Sequence, residues 1–308
     1  MALGPNLGAI GLPMDPHNLI LDKAMIIDDI DASTKKRNPW RLSSVNQVEE
    51  VKLLIRLIPI WLSCLMFTVV IAQQSTYFTK QGSTMVRSIG HNFHFPAASL
   101  QVFTGLTILV SVLIYDRVLV PLAQTITKHP SGITMLQRMG IGFFFSVLAM
   151  VVSALVEAKR VGIAQAHGLE DSPKSTVPMS VWWLLPQYML CGLSDVFTIV
   201  GMQELFYDQM PEEMRSMGAA AYLSAIGVGS FMSTGVIAAV QAISSRLGHE
   251  WLSDNLNGAH LDDFYWVLAG LSALNLCAYV WVAKGFVYKK LEWDDAEKEV
   301  NFPGFADA

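Results

Sequence analysis

The segment that decides the fold is Pro178–Arg215, with the sequence PMSVWWLLPQYMLCGLSDVFTIVGMQELFYDQMPEEMR. Its apolar part, Val181–Tyr207, is long enough as a helix to cross a bilayer core of roughly 30 Å. Asp195 lies near the midpoint of this part. A charged side chain at the bilayer centre costs about 2.5 to 3.5 kcal/mol on insertion scales, so it normally faces a cavity, a partner or water. The segment therefore predicts a membrane-spanning helix with one polar side.

At helical spacing, that polar side is a single stripe along the helix. The stripe contains Gln187, Tyr188, Cys191, Gly192, Asp195, Thr198 and Met202. It is typical of a helix that lines the pathway of a transporter, which is the default expectation for an ionisable group inside a membrane. The alternative is that a neighbouring donor holds Asp195 as one member of a structural pair.

The composition of the whole chain also indicates a membrane protein. Of its 308 residues, 52% are hydrophobic and 15% are charged, whereas about a quarter of the residues of a soluble domain are charged. Apolar runs near 20 residues predict an all-α membrane protein with six spans. The predicted spans are Leu53–Phe78, Ala97–Leu119, Ile133–Val156, Val181–Tyr207, Gly218–Ile243 and Phe264–Val287.

The positions of the cations predict the orientation, because cytosolic loops are enriched in Lys and Arg. With both termini in the cytosol, only six of the 21 Lys and Arg residues fall on the other side: Lys80, Arg87, Lys159, Arg160, Lys174 and Arg246. The three cysteines, Cys64, Cys191 and Cys277, lie within spans and are interpreted as packing residues.

The predicted spans divide the chain into three parts: an N-terminal extension with a cytosolic linker (1–52), a six-helix transmembrane half-domain (53–288) and an acidic cytosolic tail (289–308). Ser44 and Gln47 form a capping-box pattern, so the first long helix should begin near Val45. Pro59 should kink this helix. The opening residues have the pattern of neither a signal peptide nor a span.

Polar residues in the first two spans are further candidates for a cavity. Gln73 and Tyr77 are four residues apart and should share a helix face, either wet at a helix end or lining a cavity. Gln101 and Thr104 lie one turn apart in the second span. A glutamine in a span more often bonds a neighbouring helix than a substrate.

Three other segments have patterns that indicate a structural role and not a binding site. Asp116, Arg117 and Pro121 lie at a predicted helix end, where the acid and base should form an ion pair that ties adjacent helices. Ala221, Ala225, Gly229 and Ser233 form a ladder of small residues that favours close helix packing. The segment from Glu157 to Pro178 is predicted to be an ordinary solvated loop.

The motifs that are missing from the sequence restrict the function. It lacks a phosphate-binding loop, a zinc-binding HExxH, a nucleophile elbow and a redox CxxC, and the loop at residues 246–263 lacks metal-ligand spacing. We therefore expect neither an enzyme nor a metal site, no cofactor and no nucleic-acid partner.

Three long segments have specific sequences: NPWRLSSVNQVEEVKLLIRLIPIW (Asn38–Trp61), HPSGITMLQRMGIG (His129–Gly142) and VGMQELFYDQMPEEMRSMGAAAY (Val200–Tyr222). They closely resemble the plant nitrate and peptide transporters, the proton-dependent oligopeptide transporter family of the major facilitator superfamily. YDRVLVP (Tyr115–Pro121) resembles the second-half copy of the superfamily's cytosolic DRxxxP element. The resemblance extends from about Leu21 to Lys290 and is to the C-terminal half of the family.

This resemblance implies twelve spans in two six-helix halves with the solute cavity between them, of which this chain would supply spans seven to twelve. By resemblance, Asp195 would face the substrate in that cavity, and Gln73, Gln101 and Thr104 would occupy family positions in its wall. Ala72 stands where bacterial relatives have an acidic proton site, and Ile71 stands where a nitrate-carrying relative has histidine. Asp195 would then be the only deeply buried carboxylate that this half offers to a proton.

The first-half ExxER and FYxxINxG motifs of the family do not occur in the sequence, so we expect a truncated or alternative-start product of a longer symporter. In the complete protein it would take part in proton-coupled symport of nitrate, a di- or tripeptide or another small organic solute. Alternatively, it would transport nothing and would associate with full-length relatives through its exposed apolar face; a homodimer of halves is a third possibility. The resemblance implies the plasma membrane or the vacuolar membrane.

Overall fold

The computed structural model describes residues 45–89, 93–127, 133–173, 175–210, 215–246, 251–253 and 255–286. The N-terminal extension up to residue 44, the predicted cap Ser44 and the acidic tail therefore lie outside the described residues. The chain divides into two compact units, Met1–Ile58 and Pro59–Ala308. The first helix of the described residues is Val45–Ser75, which contains Pro59, and the capping pattern at Ser44 stays a prediction.

Helices make up most of the described chain. They are α1 (Val45–Ser75), α2 (Tyr77–Ser83), α3 (Gln101–Ile114), α4 (Val120–Thr127), α5 (Met135–Ala166), α6 (Leu185–Asp208), α7 (Arg215–Arg246) and α8 (Leu261–Gly285). A π-helical turn, Tyr115–Leu119, joins α3 to α4, and 3₁₀ turns at Ala97–Leu100 and Val181–Leu184 precede α3 and α6. The short strands are β1 (Met85–Val86), β2 (Ser88–Ile89), β3 (Phe93–His94) and β4 (Val177–Ser180), with β1 parallel to β4 and β2 antiparallel to β3.

Six helical segments of the described residues are long and apolar enough to cross a membrane, so the predicted all-α class and number of spans are confirmed. These segments are Leu54–Ser83, Ala97–Leu122, Met135–Ala166, Val181–Asp208, Arg215–Arg246 and Leu261–Gly285. We name the two ends of the bundle by the helices that meet there. The α5–α6 end is where α5 ends and α6 begins, and the α6–α7 end is where α6 ends and α7 begins.

Two parts of the helical structure differ from the predictions in ways that matter for the site. The predicted loop from Glu157 is wrong in its first ten residues, because α5 continues to Ala166. Glu157 and Arg160 pair with each other one helical turn apart, so the helix can carry both charges without leaving the core. The first span is interrupted at Thr76, where φ is −104° and ψ is −91°. The hydroxyls of Ser75 and Thr76 both donate to the carbonyl of Ala72, and such local bonds compete with the regular helix.

The core of the second unit forms where α5 packs against α6 and α8, with α3 also packed against α6. Close approach depends on glycine at two crossings. A Cβ atom on Gly192 would lie 2.8 Å from the Thr104 carbonyl oxygen of α3. At the α5–α6 crossing, Ser194 Oγ donates to the Gly142 carbonyl at 2.8 Å. Small residues thus hold α3, α5 and α6 together, as is common between helices in lipid.

The ladder of small residues on α7 lies along its contact with the part of α1 after Pro59. Trp61 Nε1 donates to the Ala221 carbonyl at 3.1 Å, and Thr68 Oγ1 reaches the Ala225 carbonyl at 3.4 Å. Gly229 faces the Thr68 side chain so closely that a Cβ atom would overlap it. Further along the ladder, Ser233 Oγ accepts a hydrogen bond from Gln73 Nε2.

Candidate functional site

A cavity of about 620 Å³ lies among α1, α3, α6 and α7. Part of its wall is apolar and includes Phe67, Ile71, Ile199, Met202, Ile226 and Ile237. The polar part of the wall includes Thr68, Gln74, Gln101, Thr104, Ser230 and Ser233. None of the described residues that line this cavity is charged. The wall therefore offers amide and hydroxyl groups for hydrogen bonds in an otherwise apolar bundle.

The cavity is open on the side between α3 and α7. Gly105 of α3 and Ser230 and Thr234 of α7 belong to its lining and are exposed. The neighbouring side chains on this side are large and apolar: Val102 is 68% exposed, and Phe231 is 82% exposed. The chain alone therefore supplies only part of the wall of this cavity.

Asp195 lies behind the cavity wall. Its side chain is 6% exposed and is not part of the lining. Gln74 connects it to the cavity, because the Gln74 amide interacts with the Asp195 carboxylate and Gln74 Oε1 accepts a hydrogen bond of 3.3 Å from Thr104 Oγ1. Neither Gln74 Nε2 nor Asp195 Oδ1 has a partner with standard hydrogen-bond geometry. The carboxylate is therefore close to the cavity but loosely held.

Of the other predicted cavity residues, Gln101 and Thr104 line the cavity and Gln73, Tyr77 and Thr198 do not. Gln73 is fully buried and donates to Val69 O and Ser233 Oγ. The prediction that Gln73 and Tyr77 share a helix face is wrong, because the break at Thr76 places Tyr77 in α2. There the Tyr77 ring packs on Phe264 at 5.4 Å between centroids.

Thr198 and Met202 complete the stripe predicted on α6. Thr198 is buried where α6 approaches Gly142 of α5, so it lies on the side of α6 that packs against the bundle. Met202 is buried and lines the cavity. The stripe is therefore buried along its length, but it is shared between the cavity and the helix crossings.

A second polar region lies at the α5–α6 end and centres on Glu157 and Arg160, both 0% exposed. The two side chains form a two-pronged ion pair: Arg160 Nη2 donates to Glu157 Oε1 at 2.6 Å, and Arg160 Nε donates to Glu157 Oε2 at 2.8 Å. Arg160 also donates to Asn257 Oδ1 and to the Leu256 carbonyl. The expectation that Asp195 is the only deeply buried carboxylate is therefore wrong.

The predicted residues Gln187 and Tyr188 belong to this second region. Gln187 Nε2 donates to Gln81 Oε1, and Gln81 Nε2 donates to Glu157 Oε2 at 2.6 Å. The Tyr188 ring contacts Phe78 edge to face. Neither residue lines the cavity, so the stripe on α6 joins two different polar regions.

The predicted helix-end motif does not lie at the end of a helix. The chain remains helical through Asp116, Arg117 and Pro121, which lie in or just after the π-helical turn and are exposed. No ion pair of Asp116 or Arg117 occurs among the described residues, so the predicted pairing is not formed there. Arg138 instead makes a cation–π contact with the nearby Tyr115 ring, with its guanidinium carbon 4.9 Å from the ring centroid. Arg138 also forms a salt bridge with Glu204 at 2.8 Å.

Sequence reasoning missed Gln74, Ser230, Glu157, Arg160 and Asn257. Gln74 adjoins Gln73, and one sequence cannot show which of two adjacent polar residues faces a cavity. Glu157 and Arg160 did carry a signal, because an acid and a base three residues apart at the end of an apolar run can continue the helix as a pair. Asn257 had no signal, since its partners are the carbonyls of Ser172 and Ser175 in a distant loop.

Comparisons with known proteins show what the sequence is similar to. The sequence model PTR2, described as the POT family, matches residues 11–252. The Arabidopsis thaliana Protein NRT1/PTR FAMILY 5.4 is 59% identical over 281 residues, which are 91% of this chain and 50% of that protein. Protein NRT1/PTR FAMILY 5.10 of the same plant is 54% identical over 250 residues, which are 81% of this chain and 45% of that protein. The chain spans about half the length of the curated relatives it matches.

The fold is similar to that of solved transporters. An auto-inhibited POT family peptide transporter superposes with a TM-score of 0.61 at 21% identity, covering 79% of this chain and 43% of that chain. The POT family transporter PepTSo superposes with a TM-score of 0.60 at 17% identity, covering 77% of this chain and 42% of that one. The six apolar helices thus form a six-helix half of this transporter fold, in an integral, multi-pass membrane protein.

Proposed function

Because this chain belongs to the POT family, we propose that it supplies one half of a carrier that moves a small solute across a membrane together with protons. The observation that carries the proposal is a cavity lined by amide and hydroxyl groups from four spans, with the Asp195 carboxylate behind Gln74 in its wall. Family members are transporters and not enzymes, and the chemistry required here is binding and release.

The proposed mechanism assigns separate tasks to the wall and to the acid. Gln101, Thr104 and Ser230 offer hydrogen bonds to the polar groups of a solute, and Ile71 and Ile226 contact its apolar part. Asp195 takes up and releases the proton, and Gln74 and Thr104 relay its charge state to the cavity wall. Since the cavity is open between α3 and α7, the second half of the carrier closes it. Both termini lie in the cytosol, and the membrane is the plasma membrane or the vacuolar membrane.

The test is a chimaera in which this chain replaces the corresponding half of Protein NRT1/PTR FAMILY 5.4. Uptake of labelled nitrate and of labelled dipeptides into proteoliposomes is measured with and without an acidic exterior. We expect acid-stimulated uptake of one of these probes, loss of the stimulation in Asp195→Asn, and its retention in the control Asp208→Asn at the end of the same helix. Acid-stimulated uptake that survives Asp195→Asn contradicts the proposed role of this residue.

The exposed face beside the cavity favours a second candidate, a half-transporter that does not transport but binds full-length relatives. Leu109 of α3 is 66% exposed and Leu223 of α7 is 61% exposed, and such surface favours a protein partner when it lies next to an open cavity. Co-purification with a full-length relative from the same membrane supports this candidate. A chain that stays monodisperse in that relative's presence contradicts it.

An immunoblot of native membranes with an antibody against residues 291–308 distinguishes the two candidate functions. A native band near 33.9 kDa means that the half exists as a product and that its partners should be sought. A single band at about twice that mass assigns the chain to a complete carrier.

A further inference from the structure

A group of buried polar atoms without hydrogen-bond partners among the described residues extends along α6 from Asp195 towards Glu157. The group comprises Asp195 Oδ1, Gln74 Nε2, Gln187 Oε1, Tyr188 OH and Tyr265 OH. Gln187, Tyr188 and Tyr265 are 0% exposed. Leaving such an atom unpaired is unfavourable, and native proteins usually avoid this cost with ordered water.

The atoms of this group are neighbours of one another. Thr79 lies beside the Tyr188 hydroxyl and donates to the Gln74 carbonyl at 3.1 Å, and Gln74 interacts with Asp195. In the other direction, the Tyr265 hydroxyl lies within electrostatic range of both Tyr188 and Glu157. Gln187 of this group also donates to Gln81, which in turn donates to Glu157, so polar groups follow one another from the cavity wall to the buried ion pair.

The hydroxyls of Tyr188 and Tyr265 differ from that of Tyr279, another buried tyrosine, whose hydroxyl has a hydrogen-bond acceptor. Tyr279 is 0% exposed as well, but its hydroxyl donates to the Leu136 carbonyl at 2.7 Å. The rings of Tyr188 and Tyr265 both meet Phe78 edge to face, and neither hydroxyl has a partner with standard hydrogen-bond geometry among the described residues.

We propose that this group of atoms binds a file of internal water molecules that connects Asp195 with the α5–α6 end of the bundle. A water in such a file accepts a proton on one side and releases one on the other, so a proton reaches or leaves Asp195 with no net change in the waters between. The ionisable groups that face the file are Glu157, Arg160, Tyr77 and Cys191. Its role in proton supply rests on the proposed symport function, whereas water binding does not.

Radiolytic hydroxyl-radical labelling of the purified 308-residue chain in lipid nanodiscs tests the binding of water directly. Radicals form at bound water, so we expect several-fold more labelling of Tyr188 and Tyr265 than of Tyr279, although all three are equally buried. Equal, low labelling of the three tyrosines overturns the proposal.

The same three tyrosines give a second test through Tyr→Phe variants. If the hydroxyls of Tyr188 and Tyr265 bind water, Tyr188→Phe and Tyr265→Phe lower the thermal midpoint of the chain or leave it unchanged. If the hydroxyls are dry and unpaired, their removal raises the midpoint and overturns the proposal. Tyr279→Phe loses a hydrogen bond and calibrates the scale by lowering the midpoint.

The chimaera with the relative tests proton supply. At saturating solute, Tyr265→Phe should slow acid-driven uptake without changing the solute KM, and Tyr279→Phe should change neither beyond its effect on protein amount. Unaltered uptake in Tyr188→Phe and Tyr265→Phe overturns the proton role. If labelling succeeds while the parent chimaera shows no acid-driven uptake, the proposed symport fails and the water file stands.

Discussion

Glu157 and Asp195 are both buried carboxylates in apolar helices, but the polar atoms around them are satisfied to different extents. Both oxygens of Glu157 accept hydrogen bonds, from Arg160 on one side and from Arg160 and Gln81 on the other. The Gln74 amide interacts with the Asp195 carboxylate, and Asp195 Oδ1 has no hydrogen-bond partner among the described residues.

The difference indicates which carboxylate can change its charge. Protonation of Glu157 would leave Arg160 as an unpaired buried cation, which is strongly unfavourable. Protonation of Asp195 would leave no counter-charge among the described neighbours, and it would remove a desolvated charge. The carboxylate at the α5–α6 end therefore has a buried counter-charge, and the carboxylate beside the cavity has none among the described residues. Four variants, two of them with a control variant, are ordered below by expected effect.

The largest effect is expected for Glu157→Gln. The substitution keeps the shape but leaves the Arg160 guanidinium, at 0% exposure, without its counter-charge. Removing one partner of a buried ion pair costs about 3 to 5 kcal/mol, and unfolding of the reconstituted chain by denaturant measures this loss. A loss near zero would show that Arg160 does not depend on Glu157 as its counter-charge, and the contrast with Asp195 would then disappear.

The next largest effect on stability is expected from a change in packing at Gly229 of α7, with Gly227 of the same helix as the control. Gly229→Ala places a methyl group against the Thr68 side chain, and overpacking of this kind costs about 1 to 3 kcal/mol. Gly227 has open space around the position of a Cβ atom, so Gly227→Ala should stabilise the helix by about 1 kcal/mol through its propensity. Equal effects of the two variants would show that the α1–α7 contact is looser than the structure indicates.

A smaller effect is expected at the α6–α7 end, where Arg138 bonds a partner that is partly in solvent. The Glu204 side chain is 41% exposed, so the ion pair and the contact of Arg138 with the Tyr115 ring together contribute about 1 kcal/mol. Arg138→Gln should lose this amount. Arg117→Gln, an exposed control two residues after Tyr115, should change the unfolding free energy by less than about 0.5 kcal/mol.

The sequence predicted the features that depend on local composition. The number of spans follows from apolar length, and the position of the polar stripe on one side of α6 follows from helical periodicity. The sequence did not predict the break at Thr76, because Ser75 and Thr76 are also common in regular helix ends. It did not predict the network around Arg160 either, since Asn257 lies 97 positions away in the chain and only the folded arrangement brings them together.

The smallest effect on stability, and the sharpest test of the comparison, is expected for Asp195→Asn. Asparagine has nearly the same shape and can still interact with Gln74, and the substitution removes a buried charge that no described cation compensates. We therefore expect the unfolding free energy to change by less than about 1 kcal/mol, or to rise. The measurement is the denaturant series used for Glu157→Gln, under identical lipid conditions. A loss as large as that of Glu157→Gln would make Asp195 a member of a structural pair, the alternative that the sequence left open. Stability that is unchanged, together with loss of acid-stimulated uptake in the chimaera, would assign the acid to transport.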